Sequence, residues 1–318
     1  KHSMKIVDFR REHIPQAAAL ALSCYEEERR HARALPKASA LLDLEPFAEN
    51  GLGAAALEGD ALVGFLCAVS PFAHAFRSTD ATGVFSPMGA NGARPENREK
   101  IYAALYCHAA RKWVKAGAVS HGICLYAHDQ AAQTQFYQYG FGLRCMDAIR
   151  KTTPHPSVSL PGYTASELSL EECAAVYPLE LELHRHYLES PFFMNRAPET
   201  MDQFQNSFSS GTDRCFVSRC QGELCAFLRL SPSGETCVAG GPDYRHITGA
   251  YCLPEHRRKG VFTALLEHAS AVLYKEGISL LGVDFESINP PASAFWNRHF
   301  TSYTCGVVRR IDEHILLA

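Results

Sequence analysis

No stretch of the chain holds the roughly 18 consecutive apolar residues that a membrane-spanning helix needs, and its start has no signal-peptide pattern. The expectation is a cytoplasmic protein with no membrane partner. Lys1, His2 and Ser3, ahead of Met4, read as a leftover of expression and are set aside. Charge of either sign is not in excess: 31 Lys and Arg face 34 Asp and Glu, for a net charge of −3. That excludes a general attraction to nucleic acid, so any anion site must be local. There is no CxxC pair among the twelve cysteines, so neither structural zinc nor any other metal is expected. Several cysteines sit inside apolar runs, as Cys67, Cys124 and Cys225 do, which is the pattern of buried free thiols. His184 and His186 stand two apart on an expected helix and do not share a face. They read as surface or capping residues.

What the chain does have is length and apolar content. Its 318 residues, 47% hydrophobic, suffice for two ordinary domains with real cores. The stretch 251–277, YCLPEHRRKGVFTALLEHASAVLYKEG, reads as a strand end, a basic glycine turn and an amphipathic helix. Arg257, Arg258 and Lys259 fall where that helix begins. A helix start is the positive end of the dipole, and its free N–H groups seek acceptors. Cations there cost on the order of 0.3–1 kcal/mol each unless an anion arrives. With the flexible Gly260, the turn forms a seat for a phosphate or diphosphate. A solvated basic turn is the plainer alternative. A Walker-type loop is excluded by spacing, because Lys259 precedes Gly260 and no upstream glycine stands at the required distance.

The pattern of the elements repeats. Strand, helix, helix, hairpin, strand, helix, strand, helix, strand is expected over 5–150 and again over 163–310, with hairpin turns at Gly59-Asp60 and Gln221-Gly222. Residues 151–162, with three prolines and no periodicity, read as a connector. At an offset of 160, residues 101–117 and 261–277 align without a gap, six of 17 positions being identical. Thr82 to Phe85 is set opposite Thr248 to Tyr251. The division expected is residues 4–152, a linker 153–162, and residues 163–318.

This order resembles the GNAT N-acetyltransferase superfamily. Its Q/R-x-x-G-x-G/A motif stands here as Arg257-Arg258-Lys259-Gly260-Val261-Phe262, after Leu253-Pro254-Glu255-His256. A later signature, an Asn at a strand end before a helix with an aromatic pair, stands as Asn289 followed by Phe295-Trp296. The resemblance implies an α/β (α+β) fold of two tandem GNAT-like domains. Each would have a mixed, mostly antiparallel sheet with helices on both faces. The first would be degenerate, because 87–100 lacks the motif.

The resemblance further implies an acyl-CoA-dependent N-acyltransferase using acetyl-CoA, acting on a small-molecule or peptide amine as monomer or homodimer. A CoA-binding module without turnover is the alternative. Cys252, Leu253, Arg257, Arg258, Lys259, Gly260, Val261, Phe262, Asn289, Phe295 and Trp296 would contact the cofactor. Phe262 departs from the small residue usual there. A backbone N–H of the strand ending at 251–253 would face the thioester oxygen. The candidates for acid–base work are Tyr251, Asp284 and Glu286. Asp284 and Glu286 share one strand face and stand either as a solvated pair or toward a cationic acceptor. Asn289 would bond cofactor or backbone, or simply cap its helix. The aromatic pair of the second copy lacks the tyrosine that the family uses as general acid. Phe136-Tyr137 of the first copy has one, either packed in the core or active. The loop 88–97 of the first copy reads as a lid or as an ordinary solvent loop.

Overall fold

The computed structural model describes residues 3–154 and 159–318; Lys1, His2 and residues 155–158 of the expected linker lie outside the described residues. Two compact units divide the chain. The first comprises Lys1–Asp147, Thr236–Val238 and Ser302–Ala318, and the second Ala148–Glu235 and Ala239–Thr301. The C-terminal segment is thus in the first unit, where sequence order assigns it to the second. Among the described residues no helix is long and apolar enough to cross a membrane. All twelve cysteines are free thiols.

The first unit runs β1 (Lys5–Asp8), α1 (Ile14–His31), α2 (Glu45–Glu49), β2 (Ala54–Glu58), β3 (Ala61–Leu66), β4 (Gly83–Ser86), β5 (Asn91–Ala93), α3 (Arg98–Lys115), β6 (Ser120–Tyr126), α4 (Gln130–Gln138) and β7 (Gly142–Lys151). Of the helix expected over 41–49, only Glu45–Glu49 is helical. Leu41 and Leu42 are instead irregular backbone packed against the cluster that holds Phe9, Ala17, Ala21 and Phe65. Small residues in β2 let helices approach from both sides. Ala54 and Ala56 join the α3 cluster with Ile101, Leu105 and Trp113, while Ala55 joins the α1 cluster.

The second unit takes in residues 148–151 of β7. It continues with β8 (Tyr163–Glu167), α5 (Tyr177–Leu188), α6 (Met201–Ser209), β9 (Arg214–Cys220), β10 (Glu223–Ser231), β11 (Tyr244–Cys252), α7 (Val261–Lys275), β12 (Leu280–Glu286) and α8 (Pro290–His299). The chain ends with β13 (Thr301–Ser302) and β14 (Thr304–Arg310). The sheet order is β12-β11-β10-β9-β8, with β11 and β12 parallel and the other pairs antiparallel. Helices cover both faces. Phe227 and Tyr251 pack with residues of α5 and α6, whereas the neighbouring Phe216 meets His268 of α7.

Strand β14 lies between β6 and β7 in the first unit. It pairs with β6 over all seven residues and with β7 at Gly306, Val307 and Val308. Its Cys305 and Val307 join the core around Trp113 and Phe136. Burial of these two side chains in that core is what assigns the segment to the first unit.

The repeat is confirmed where the offset of 160 was read. β6 and β12 match end to end, as do the ends of α3 and α7 and the starts of α4 and α8. The match upstream is corrected. Gly83 pairs with Ser120 as Tyr244 pairs with Leu280, so Gly83 corresponds to Tyr244 and not to Gly249. Residues 87–90 interrupt the first copy, leaving β4 to pair with β6 while β5 pairs with β3. Loop 88–97 is therefore neither lid nor solvent loop along most of its length, since residues 88–93 are buried and three of them form β5.

Candidate active site

The site is set by where β11 and β12 stop pairing. They are joined from Tyr244 with Leu280 to Ile247 with Val283 and no further, although β11 continues to Cys252 and β12 to Glu286. An extra residue, Thr248, bulges β11 at this point, where Arg229 of β10 faces Gly249 and Leu230 faces Ile247. Past the bulge the antiparallel ladder alternates. Leu253 gives its N–H to the Cys225 carbonyl at 2.9 Å. By the alternation of such a ladder, the N–H groups of Ala250 and Cys252 point away from β10, toward the side that β12 has left. The N–H expected to be free at 251–253 is thus that of Cys252, not that of Leu253.

A cleft of about 130 Å³ opens there, with walls from β11 (Ile247 to Ala250), β12 (Val283 to Glu286), Asn289 and Trp296, and from α5 and its following loop (Leu183, Tyr187, Phe192, Met194, Arg196). Four of the expected residues come together on it: Asp284, Glu286, Asn289 and Trp296. Tyr251 does not. It is buried in the core with Phe204, Phe208 and Phe227, and the Arg257 guanidinium lies 5.2 Å from its ring centre. Burial pushes its phenol up from the ordinary value. Cys252 is likewise inert, its thiol pushed up to about 12 by burial.

Asn289 stands at the N-cap position of α8 but its side chain makes no capping bond; its side-chain oxygen lies 3.0 Å from His186 Nε2. His184 bonds the Arg196 carbonyl through Nδ1 at 2.7 Å and Glu180 through Nε2 at 3.3 Å. Neither histidine is a free surface or capping group. Because Nδ1 of His184 faces a carbonyl, it is the donor of that bond. A signal for these residues was in the sequence. Positions 180, 183, 184 and 187 form the inward stripe of α5, and three of the four are Glu, His and Tyr. Tyr187 is the phenol on the cleft, stacked on Phe192 at 4.9 Å and pushed up to about 12 by burial.

The basic turn lies outside the cleft walls. Arg257 folds back, giving Nε–H to the Cys252 carbonyl at 2.8 Å, and so braces the turn. Arg258 and Lys259 are exposed. Both Arg258 (φ 60°) and Gly260 (φ 81°) are left-handed, a conformation natural for glycine and strained for arginine. Among the described residues, the N–H groups of 258–261 meet no acceptor, and no side chain caps α7. The turn thus combines N–H groups without acceptors and two exposed cations. Phe262 turns toward α8, meeting Phe295 at 5.1 Å and Trp296 at 5.9 Å between ring centres.

The same places in the first unit are filled by its own side chains. Asn91 bridges the gap, donating to Ser86 Oγ at 3.0 Å and to the Cys124 carbonyl of β6 at 3.1 Å, and accepting from Tyr102. At the start of α3, the buried Arg98 is held by Glu27 and Asp129. Tyr137 is 41% exposed on α4, so it is not the core residue that one reading made it.

Residues 181–300 match the family model described as acetyltransferase (GNAT) family. Among solved structures, a GCN5-related N-acetyltransferase from Sphaerobacter thermophilus is 13% identical and shares the fold with a TM-score of 0.56, over 96% of this chain and 95% of that one. A GCN5-related glucosamine N-acetyltransferase region of a fungal multi-domain β-N-acetylglucosaminidase gives 14% and 0.51, over 96% of this chain and 38% of that one. A tandem GNAT protein from the clavulanic acid biosynthesis pathway gives 14% and 0.45, over 97% and 98%. No curated protein matches by sequence. Over residues 181–300 the chain is thus similar to the acetyltransferase (GNAT) family, and it shares the fold of a GCN5-related N-acetyltransferase along nearly its whole length.

Proposed function

We propose that the second unit is an acyl-CoA-dependent N-acyltransferase. It moves an acyl group, in the simplest case acetyl from acetyl-CoA, to the primary amine of a small molecule or peptide by direct attack in a ternary complex. The observation that carries this is the parting of β11 and β12 after Ile247 and Val283, close in sequence to the uncapped basic turn. The fit to the cofactor is residue by residue. The N–H groups of 258–261 with Arg258 and Lys259 would hold the diphosphate. Cys252 and Leu253 would flank the pantetheine arm, with Val261, Phe262, Phe295, Trp296 and Asn289 along its path. Acetyl-CoA supplies the activated thioester.

The residues of this chain do the rest. The N–H groups of Ala250 and Cys252 meet the carbonyl oxygen as it gains charge. Tyr187 stays protonated at neutral pH, with its phenol near 12. A thiol is far more acidic, near 8.5, so Tyr187 steadies the departing sulfur by donating a hydrogen bond rather than by releasing its proton. Asp284 and Glu286 offer carboxylates to an acceptor that arrives as a cation and would relay its proton to water, so that the free amine attacks. The second proton lost from nitrogen as the amide forms passes through water, and the thiolate is protonated by solvent. The free thiols suit a reducing compartment such as the cytoplasm.

Calorimetry with acetyl-CoA tests the reading. One site per chain is expected in the micromolar range, since the first unit's gap is bridged by Asn91. Folded protein that takes up no acetyl-CoA would sink it. The second reading, a CoA-binding module without turnover, is favoured by Trp296 standing where the family has tyrosine. Sustained release of CoA thiol with a mixed panel of amines removes that option.

A further inference from the structure

Asp284 is the first residue of β12 past the paired rows, and it stands on the cleft with half of its side chain exposed. Its Oδ1 lies 2.7 Å from Nε2 of His246, and Nδ1 of the same ring lies 2.7 Å from the Tyr244 hydroxyl. Both rings are buried to 1% exposure. One proton can be assigned. A carboxylate only accepts, so Nε2 carries the hydrogen. Nδ1 meets the Tyr244 hydroxyl, so the ring is fixed between a buried phenol and a carboxylate on the cleft.

Room for this chain is built into the backbone. A Cβ at Gly282 would sit 1.8 Å from the Tyr244 oxygen, and one at Gly234 2.5 Å from His246 Nδ1. Burying an imidazole and a phenol is costly unless each is hydrogen-bonded, and a merely solvated carboxylate needs neither. Among the described residues, Oδ2 of Asp284 has no hydrogen-bond partner and is left for the cleft.

We propose that Tyr244 and His246 are positioning residues that hold Asp284 as the seat of the acceptor's ammonium group, so that the acceptor enters this cleft as a cationic amine. The inference rests on the acyltransferase reading and is tested so that the two can fail separately. In steady-state kinetics with acetyl-CoA and primary amines (benzylamine, spermidine, glucosamine), Asp284→Asn should raise amine KM roughly 10–100-fold. The KM for acetyl-CoA should stay within about twofold. His246→Gln keeps an N–H where Nε2 was and should remain within about threefold of the parent. His246→Asn lacks that donor and should raise amine KM about tenfold, with no added effect in the Asp284→Asn background. Equal losses in the two His246 variants, or additive losses in the double variant, would overturn the proposal.

A second measurement needs no turnover. Imidazole 15N NMR should find His246 protonated at Nε2. Benzylammonium chloride alone should shift its resonance in the parent and not in Asp284→Asn. An Nδ1–H tautomer, no shift in the parent, or the same shift in both proteins overturns the seat. If the NMR result holds while no thioester is consumed, the acyltransferase reading fails and the seat stands.

Discussion

Val307→Ala tests the placement of the last strand. Val307 is fully buried in the first unit's core, beside Cys305 and among Trp113, Phe136 and Ile123. Removing two buried methyl groups forfeits roughly 0.8 kcal/mol each, and the cavity left behind brings the loss to about 2–3 kcal/mol. In a unit of this size that corresponds to a fall in Tm of roughly 5–10 °C. Hydrogen exchange separates the units. Protection should drop in β6, which pairs with β14 along its whole length, and should stay unchanged in β12 at the equivalent positions. Loss of protection in β12 with β6 unaffected would refute the assignment of 302–318 to the first unit. Acetyl-CoA binding gives a second readout and should be unchanged in the variant.

Replacing Arg258 and Lys259 together with alanine should weaken acetyl-CoA about 10–50-fold and flatten the salt dependence of binding, by removing two charge-assisted contacts; calorimetry at two salt concentrations checks this. Phe262→Ala should cost up to about 3 kcal/mol of stability yet tighten acetyl-CoA, because the ring bridges α7 to Phe295 and Trp296; unaltered affinity would take Phe262 off the cofactor path. Burial pushes the His121 imidazole down to about 4, between Tyr106 and the Ala118 carbonyl. Its unfolded value is near 6.5, so the unfolded chain binds more protons in that window. The first unit should therefore hold full stability above about pH 6.5 and lose up to about 3 kcal/mol as pH falls toward 4. Denaturant melts across that range should show the slope, and His121→Gln should flatten it.

The parts of the site that were legible in the sequence are those written locally. The basic turn at 257–260 announces itself because cations at a helix start contradict the dipole. The copies are visible at an offset of 160 because helix and strand periods persist where the fold persists. The parts that were not legible depend on partners distant in the chain. Tyr251 has the chemistry of an acid–base residue, but register with Phe227 turns it into the core. Tyr187 and Glu180 looked like the polar content of an ordinary helix until the inward stripe of α5 was set against β11. Asp284 looked like one of a solvated pair until His246, 38 residues earlier, was found beneath it.

By itself, then, the sequence determined the elements, the duplication and the basic turn, because hydrogen bonding within a few residues and side-chain periodicity suffice for each. Only the tertiary structure decided which strands pair. Strand pairing costs the same backbone conformation whether the partner is near or far in the chain, so the choice falls to side-chain burial. That choice put β14 between β6 and β7, closed the first copy's gap with Asn91, and left the gap between β11 and β12 open for a ligand.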